Sequence, residues 1–197
     1  MVAKVFKDDP AIGLVSHNQE IVRDGQVVKR SHYGPPSSFR GSLTDYLLQV
    51  GNCISTSATV VARSLLNQVG SFSEDPALVT VEDYDLWLRL STICGFRFMP
   101  EIMGVQNFHQ GSSSSDAELH LRSNLAILDK YLIESNKAKT FLPKRAVRRR
   151  YANAYFGAAR QYHRRGEFKK SCGHYARCLR EYPLFSTAYV GLALLFV

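Results

Sequence analysis

Acidic and basic residues are segregated along this chain, and that segregation limits what it can fold into more than any single motif does. Residues 1–136 hold 11 Lys and Arg against 15 Asp and Glu, a balance of −4, whereas residues 137–197 hold 14 against 2, a balance of +12. A break of this size marks a domain boundary. It separates a first region, 1–136, from a basic second region, 137–197. Hydrophobic residues make up 45% of the 197, enough to build a core in each region, so overall disorder is excluded.

The four cysteines (Cys53, Cys94, Cys172, Cys178) form no CxxC pair, and the six histidines show neither HExxH nor zinc-finger spacing. Neither a disulfide framework nor a structural zinc site is signalled, which fits a reducing, cytoplasmic setting. Charges at Lys4, Lys7, Asp8, Asp9, Glu20, Arg23 and Asp24 exclude the apolar stretch of a secretory signal. The longest apolar run, Ala188 to Val197, is about half of what a membrane-spanning helix needs. The basic region can face solvent, an acidic protein partner or an anionic membrane surface at the inner face of the membrane, with Arg145, Arg148, Arg149 and Arg150 as the contacts. It contains no nucleic-acid recognition motif, and no nucleic acid is expected.

The local pattern alternates strands and helices. Ile12, Leu14 and Val15 open a strand, Asp24-Gly25 is a turn dipeptide, and Val27-Val28 begin the return strand of a hairpin. Ser31 to Ser38, with Gly34, Pro35 and Pro36, is a loop, and Ser42 to Val50 is a short helix closed by Gly51. Asn52 to Arg63 is rich in β-branched residues and predicts one or two strands, followed by a short helix from Ser64 to Val69 stopped by Gly70. Thr80-Val81-Glu82-Asp83 has the form of a helix start, a hydroxyl N-cap with a carboxylate three residues on. In the helix that follows, Leu86, Trp87, Leu88, Leu90 and Ile93 cover more than one face, which predicts burial. Phe96 to Val105 is extended and interrupted by Pro100, and Gly111 to Ser115 is a polar loop.

Three segments, GNCISTSATVVARSLLNQVGSFSED, VEDYDLWLRL and FRFMPEIMGVQNFHQGSSSS, in this order and spacing resemble the C-terminal half of family 2 glycosyltransferases of the GT-A fold. The resemblance spans Asp9 to Ser115. It rests on Asn52, the turn Val69-Gly70-x-Phe72, the pair Glu82-Asp83 with Trp87 and Arg89 behind it, and His109 before a serine-rich loop. The family keeps its nucleotide-sugar pocket and a metal-binding Asp-x-Asp in an N-terminal half. Here the only such spacing, Asp83-Tyr84-Asp85, lies on a predicted helix, so the chain is expected to be the acceptor-side part, inactive without a donor-binding half.

The resemblance implies inverting transfer of a sugar from a nucleoside diphosphate sugar to a hydroxyl acceptor, a saccharide or lipid-linked saccharide, with a divalent metal (Mn or Mg). Such a reaction needs a base that takes the acceptor hydroxyl's proton, and the resemblance gives that role to Asp83, with Glu82 orienting base or acceptor. Acids in a first helical turn also serve simply to offset the macrodipole and cap N–H groups. Asp85 and Arg89 are spaced as an ordinary i,i+4 ion pair. Trp87 is either core or an acceptor platform, and Asn52 either faces the acceptor or satisfies its own turn. His109 is a metal or diphosphate ligand or a surface loop histidine. Ser112 and Ser113 offer hydroxyls to the diphosphate if the loop is a flap, and none if it is a linker.

Residues 152–185 fit the 34-residue tetratricopeptide pattern through Tyr155, Ala158, Ala159, Tyr162, Gly166, Ser171, Tyr175, Cys178 and Pro183. They predict two helices joined at Arg165-Gly166-Glu167, and a second repeat starting at Ser186. The expected fold is therefore α/β, a partial GT-A-like mixed sheet with helices, followed by an all-α helical-repeat tail. The alternative function is a non-catalytic helical-repeat module for protein interaction.

Overall fold

Residues Ile12–Arg23 form one long strand, β1, and the turn dipeptide Asp24-Gly25 returns the chain into β2, Gln26–Ser31. Both turn residues have positive φ, 50° and 76°, the geometry that matches hairpin twist and favours glycine. In a computed structural model that describes residues 1–107, 116–137 and 142–195, β1 is the centre of a four-stranded mixed sheet. Along one edge it pairs in parallel with β4, Gly95–Asn107. Along the other it pairs antiparallel with β3, Thr59–Val61, at Leu14–Ser16 and with β2 at Gln19–Arg23. Leu14 and Val15, adjacent and so on opposite faces, are both fully buried.

The chain between β1 and β4 supplies the crossover that parallel pairing requires: α2 (Leu43–Gln49), α3 (Arg63–Val69) and α4 (Glu82–Ser91). Of the stretch read as strand at 52–63, only β3 is strand, since Thr56–Ala58 forms a 3-10 turn. Pro100 does not break β4. The register slips between His17↔Met99 and Asn18↔Ile102, which places Pro100 and Glu101 in a bulge where no ladder N–H is required. Asn18 Nδ2 donates to the Pro100 carbonyl there at 2.8 Å. An N-terminal helix, α1 (Val2–Asp8), precedes the sheet.

Two compact units divide the chain. The first comprises Met1–Leu47, Gly51–Ser73 and Glu82–Gly111; the second comprises Leu48–Val50, Glu74–Val81 and Ser112–Val197. The second contains α5 (Ala117–Lys137), α6 (Lys144–Arg164), α7 (Phe168–Glu181) and α8 (Ser186–Ala193). The expected join at Arg165-Gly166-Glu167 separates α6 from α7, and α8 starts at Ser186. Ala152, Ala159, Tyr175, Cys178 and Ala188 make a buried cluster in which small residues admit the Tyr175 ring. Among the described residues no helix is long and apolar enough to cross a membrane.

Gly191 shows how tight that cluster is. A Cβ there would stand 2.4 Å from Cζ of Tyr175, whereas one at Gly157 or Gly173 would meet nothing within 4 Å. Exposed helical Gly→Ala changes stabilise by about 1 kcal/mol, while overpacking a core costs about 1–3 kcal/mol. Gly157→Ala and Gly173→Ala should therefore raise the urea midpoint and Gly191→Ala should lower it. Equal effects at all three positions would show that α8 does not pack on Tyr175 in this way.

Candidate functional site

The head of α4 carries Glu82 and Asp83, and the rest of the helix explains why they stay in place. Tyr84, Asp85, Leu86, Trp87, Leu88 and Leu90 are all buried. Asp85, 1% exposed, pairs with Arg89 at 2.8 Å. The Arg89 guanidinium also donates to the carbonyls of Val69, Gly70 and Ser71, and Phe72 meets Trp87 edge to face at 6.4 Å. The turn Val69-Gly70-Ser71-Phe72 and the residues behind Asp83 are thus one clamp that fixes α4 rather than reactive groups. Tyr84 hydroxyl donates to the Leu47 carbonyl, tying α2 to the same helix.

The expected hydroxyl cap does not form. α4 begins at Glu82, while the Thr80 hydroxyl shares a 2.9 Å hydrogen bond with His120 Nδ1. Thr80 has φ +83°, far from the extended conformation of an N-cap, and such a backbone costs a β-branched residue on the order of 1–3 kcal/mol.

Asp83 is instead held from the 3-10 turn. Thr56 Oγ1 donates to its Oδ2 at 2.7 Å, and the Tyr84 N–H donates to its Oδ1 at 2.6 Å. Burial pushes the Asp83 carboxyl above the ordinary aspartate value; the bonds from Thr56 and Tyr84 pull it back only in part, and the charge of Glu82 adds to the rise. Glu82 Oε2 is itself buried and has no hydrogen-bond partner among the described residues.

On either side of Thr56 the hydroxyls of Ser55 and Ser57 belong to a network on Gln19, a residue of β1 that is 1% exposed. Gln19 Oε1 accepts from Tyr33, Ser55 and Ser57 at 3.1, 3.1 and 3.3 Å, and Nε2 donates to Ser57 at 3.2 Å. Asp83 therefore sits beside a bed of hydroxyls whose central amide cannot move without breaking several bonds. Thr56, Gln19, Ser55, Ser57 and Tyr33 were not singled out in the sequence; the run Ser55-Thr56-Ser57 is the one signal that could have marked them.

The other expected site residues lie as follows. Asn52 is exposed, and its Oδ1 accepts from the Ile54 N–H at 3.0 Å, so its carbonyl satisfies its own turn. It lines an open cleft with Lys29, His32, Tyr33 and Cys53, which connects it to the Gln19 network through Tyr33 but not to Asp83 by any hydrogen bond. Burial pushes the Cys53 thiol up to about 11, leaving it unreactive. Trp87, 1% exposed, occupies the core and presents no face to a cleft. His109, Ser112 and Ser113 lie outside the described residues.

The described residues contain no group of three His, Cys, Asp or Glu side chains that could hold a metal. The Asp83-x-Asp85 pair does not fit a divalent ion, because Asp85 is engaged by Arg89 and Asp83 by Thr56. No family model matches the chain, and no curated protein matches it.

What the arrangement can do chemically is accept a proton. A carboxylate raised by burial holds a proton more readily than an ordinary one, and the Thr56 hydroxyl keeps one oxygen oriented. Thr56→Val removes the largest influence that opposes the rise, so the Asp83 carboxyl should titrate at higher pH in that variant. A titration left in place or moved down would show that the Thr56 bond does not act on the ionised carboxylate.

Proposed function

We propose that the chain supplies the acceptor side of an inverting glycosyltransferase of the family 2 type, acting in a reducing, cytoplasmic setting with a nucleoside diphosphate sugar bound by a donor half. In this reading the acceptor hydroxyl oxygen bonds to the anomeric carbon as the bond from that carbon to the diphosphate oxygen breaks, and the hydroxyl proton passes to Asp83. Thr56 orients Asp83, and Glu82 disfavours its charge. In this reading the hydroxyls of Tyr33, Ser55 and Ser57, ordered by the Gln19 amide, offer a polyol acceptor hydrogen-bonding partners. The divalent metal and the diphosphate contacts belong to the donor half, with His109, Ser112 and Ser113 as the contributions from this chain.

The observation that carries this reading is geometric: a carboxylate at the head of a buried helix, held by the Thr56 hydroxyl at 2.7 Å beside the hydroxyls ordered on Gln19, and its burial raises rather than lowers its pKa. A carboxylate placed only to cap that helix has its charged form favoured, and its pKa falls. Asp116 at the start of α5 is such a case: it accepts from the N–H groups of Leu119 and Glu118 and lies below the ordinary value.

A second reading, a non-catalytic helical-repeat interaction module, is favoured by the exposed apolar residues Leu184, Tyr189, Val190 and Leu194 at and before α8. One experiment separates the two: the chain is incubated with nucleoside diphosphate sugars and saccharide acceptors, alone and with a donor-binding domain of a family 2 transferase. Transfer or donor hydrolysis that depends on Asp83 supports the enzyme. Absence of both, or equal rates in Asp83→Asn, leaves the interaction module.

A further inference from the structure

The positive charge that follows residue 136 is concentrated. Lys144, Arg145, Arg148 and Arg149 fill the first two turns of α6, with no acidic residue and no side-chain cap in the first turn. Like charges four residues apart, as Arg145 and Arg149 are, weaken a helix, and cations at this end of a helix oppose its macrodipole.

The four arginines of 145–150 do not form a single basic stripe. Arg150 is 8% exposed and donates to the Val50 carbonyl at 3.0 Å, and Arg148 donates to the Arg180 carbonyl at 3.0 Å. These two hold the second unit together. Arg145 and Arg149 instead line an open cleft whose other walls include Gln49, Val50, Ala146 and Tyr182. Arg145 Nε donates to the Tyr182 hydroxyl at 2.9 Å, and its guanidinium lies 5.7 Å from the centre of that ring. This holds the guanidinium through its Nε, and its terminal N–H groups have no hydrogen-bond partner among the described residues. Arg149 is exposed and has no hydrogen-bond or ion-pair partner among the described residues. Among the described residues no carboxylate lines the cleft.

We propose that this cleft binds a phosphate monoester, with Arg145 and Arg149 gripping its oxygens and Tyr182 positioning Arg145. Guanidinium forks match phosphate oxygens in geometry, and the charge of a monoester, between about −1.5 and −2 at neutral pH, balances two guanidinia where a carboxylate balances one. A bound phosphate also relieves the repulsion between the two arginines. The inference does not depend on the transferase reading.

The test uses the whole chain. Inorganic phosphate is titrated at constant ionic strength while the arginine Nε signals are followed by NMR, and the chain is sedimented in parallel with phosphatidylcholine vesicles containing phosphatidic acid. Phosphate should shift the signals of Arg145 and Arg149, and Arg149→Gln and Arg145→Gln should each weaken binding about tenfold. Lys169→Gln removes the same charge at the opposite end of α7 and should leave binding unchanged. Arg149 has no partner to lose among the described residues, so its variant carries the test if Arg145→Gln disturbs the fold. Vesicle binding lost in the arginine variants assigns the phosphate to a lipid headgroup, and phosphate binding without vesicle binding assigns it to a soluble phosphorylated compound; both support the cleft. Equal weakening by Lys169→Gln, or no response to phosphate and none to vesicles, overturns it.

Discussion

In the proposed sugar transfer, assayed with a donor-binding domain present, replacing Asp83 by Asn is expected to reduce the rate by about 10²- to 10⁴-fold, the range over which a positioned acid–base group acts, without loss of fold stability at neutral pH. The stability half follows from linkage. Burial raises the folded-state value of Asp83 above its unfolded one, so the stability associated with its protonated form is fully present below the unfolded value and is lost as pH rises through the raised one. Above that window the parent carries a penalty for its charge that the Asn variant does not. The variant should therefore gain on the parent in melting temperature as pH rises through the window, then keep a constant lead. Calorimetry on both proteins across acidic and neutral pH checks this. Had the Asp83 charge served only to offset the helix dipole, the substitution would destabilise the protein at neutral pH and the effect would fade in acid.

Trp87→Ala should be the most damaging single change to the first unit, costing about 3–5 kcal/mol. Trp87 is 1% exposed and packs against Phe72 at the point where Arg89 clamps the 69–72 turn. Its Nε1 has no hydrogen-bond partner among the described residues, so Trp87→Phe forfeits packing but no hydrogen bond and should cost less. Chemical denaturation followed by circular dichroism gives both values. Trp87 is the only tryptophan in the chain, which makes its fluorescence a second readout. A core residue gives emission that saccharides do not alter; an acceptor platform gives quenching by saccharides and an alanine variant of nearly unchanged stability.

How much was legible in the sequence depended on whether the cause was local. The Asp24-Gly25 hairpin, the Asp85–Arg89 pair and the helical join at Arg165-Gly166-Glu167 were readable, since each is fixed by residues within a few positions of one another. The burial of α4 was readable because its apolar residues surround the axis. The helix α1 was not, because none of its residues is buried and so no apolar stripe betrays it. Pro100 read as an interruption because the bulge that accommodates it depends on Asn18, 82 residues away. The site divided along the same line. The Glu82-Asp83 pair stood out by its place at the start of a patterned helix. Thr56 and Gln19 did not, because their roles come from contacts 27 and 36 to 38 residues distant in sequence, which no periodicity encodes. The capping role given to Thr80 failed because a positive φ redirected its hydroxyl to His120.

Whether Asp83 is a base or a cap is decided by carbon NMR of its side-chain carboxyl across an acid titration. A midpoint above the ordinary aspartate value, moving higher still in Thr56→Val, is the predicted result. A midpoint below the ordinary value would place Asp83 with Asp116 as a carboxylate that stabilises its helix, and would contradict the proposal that it accepts a proton.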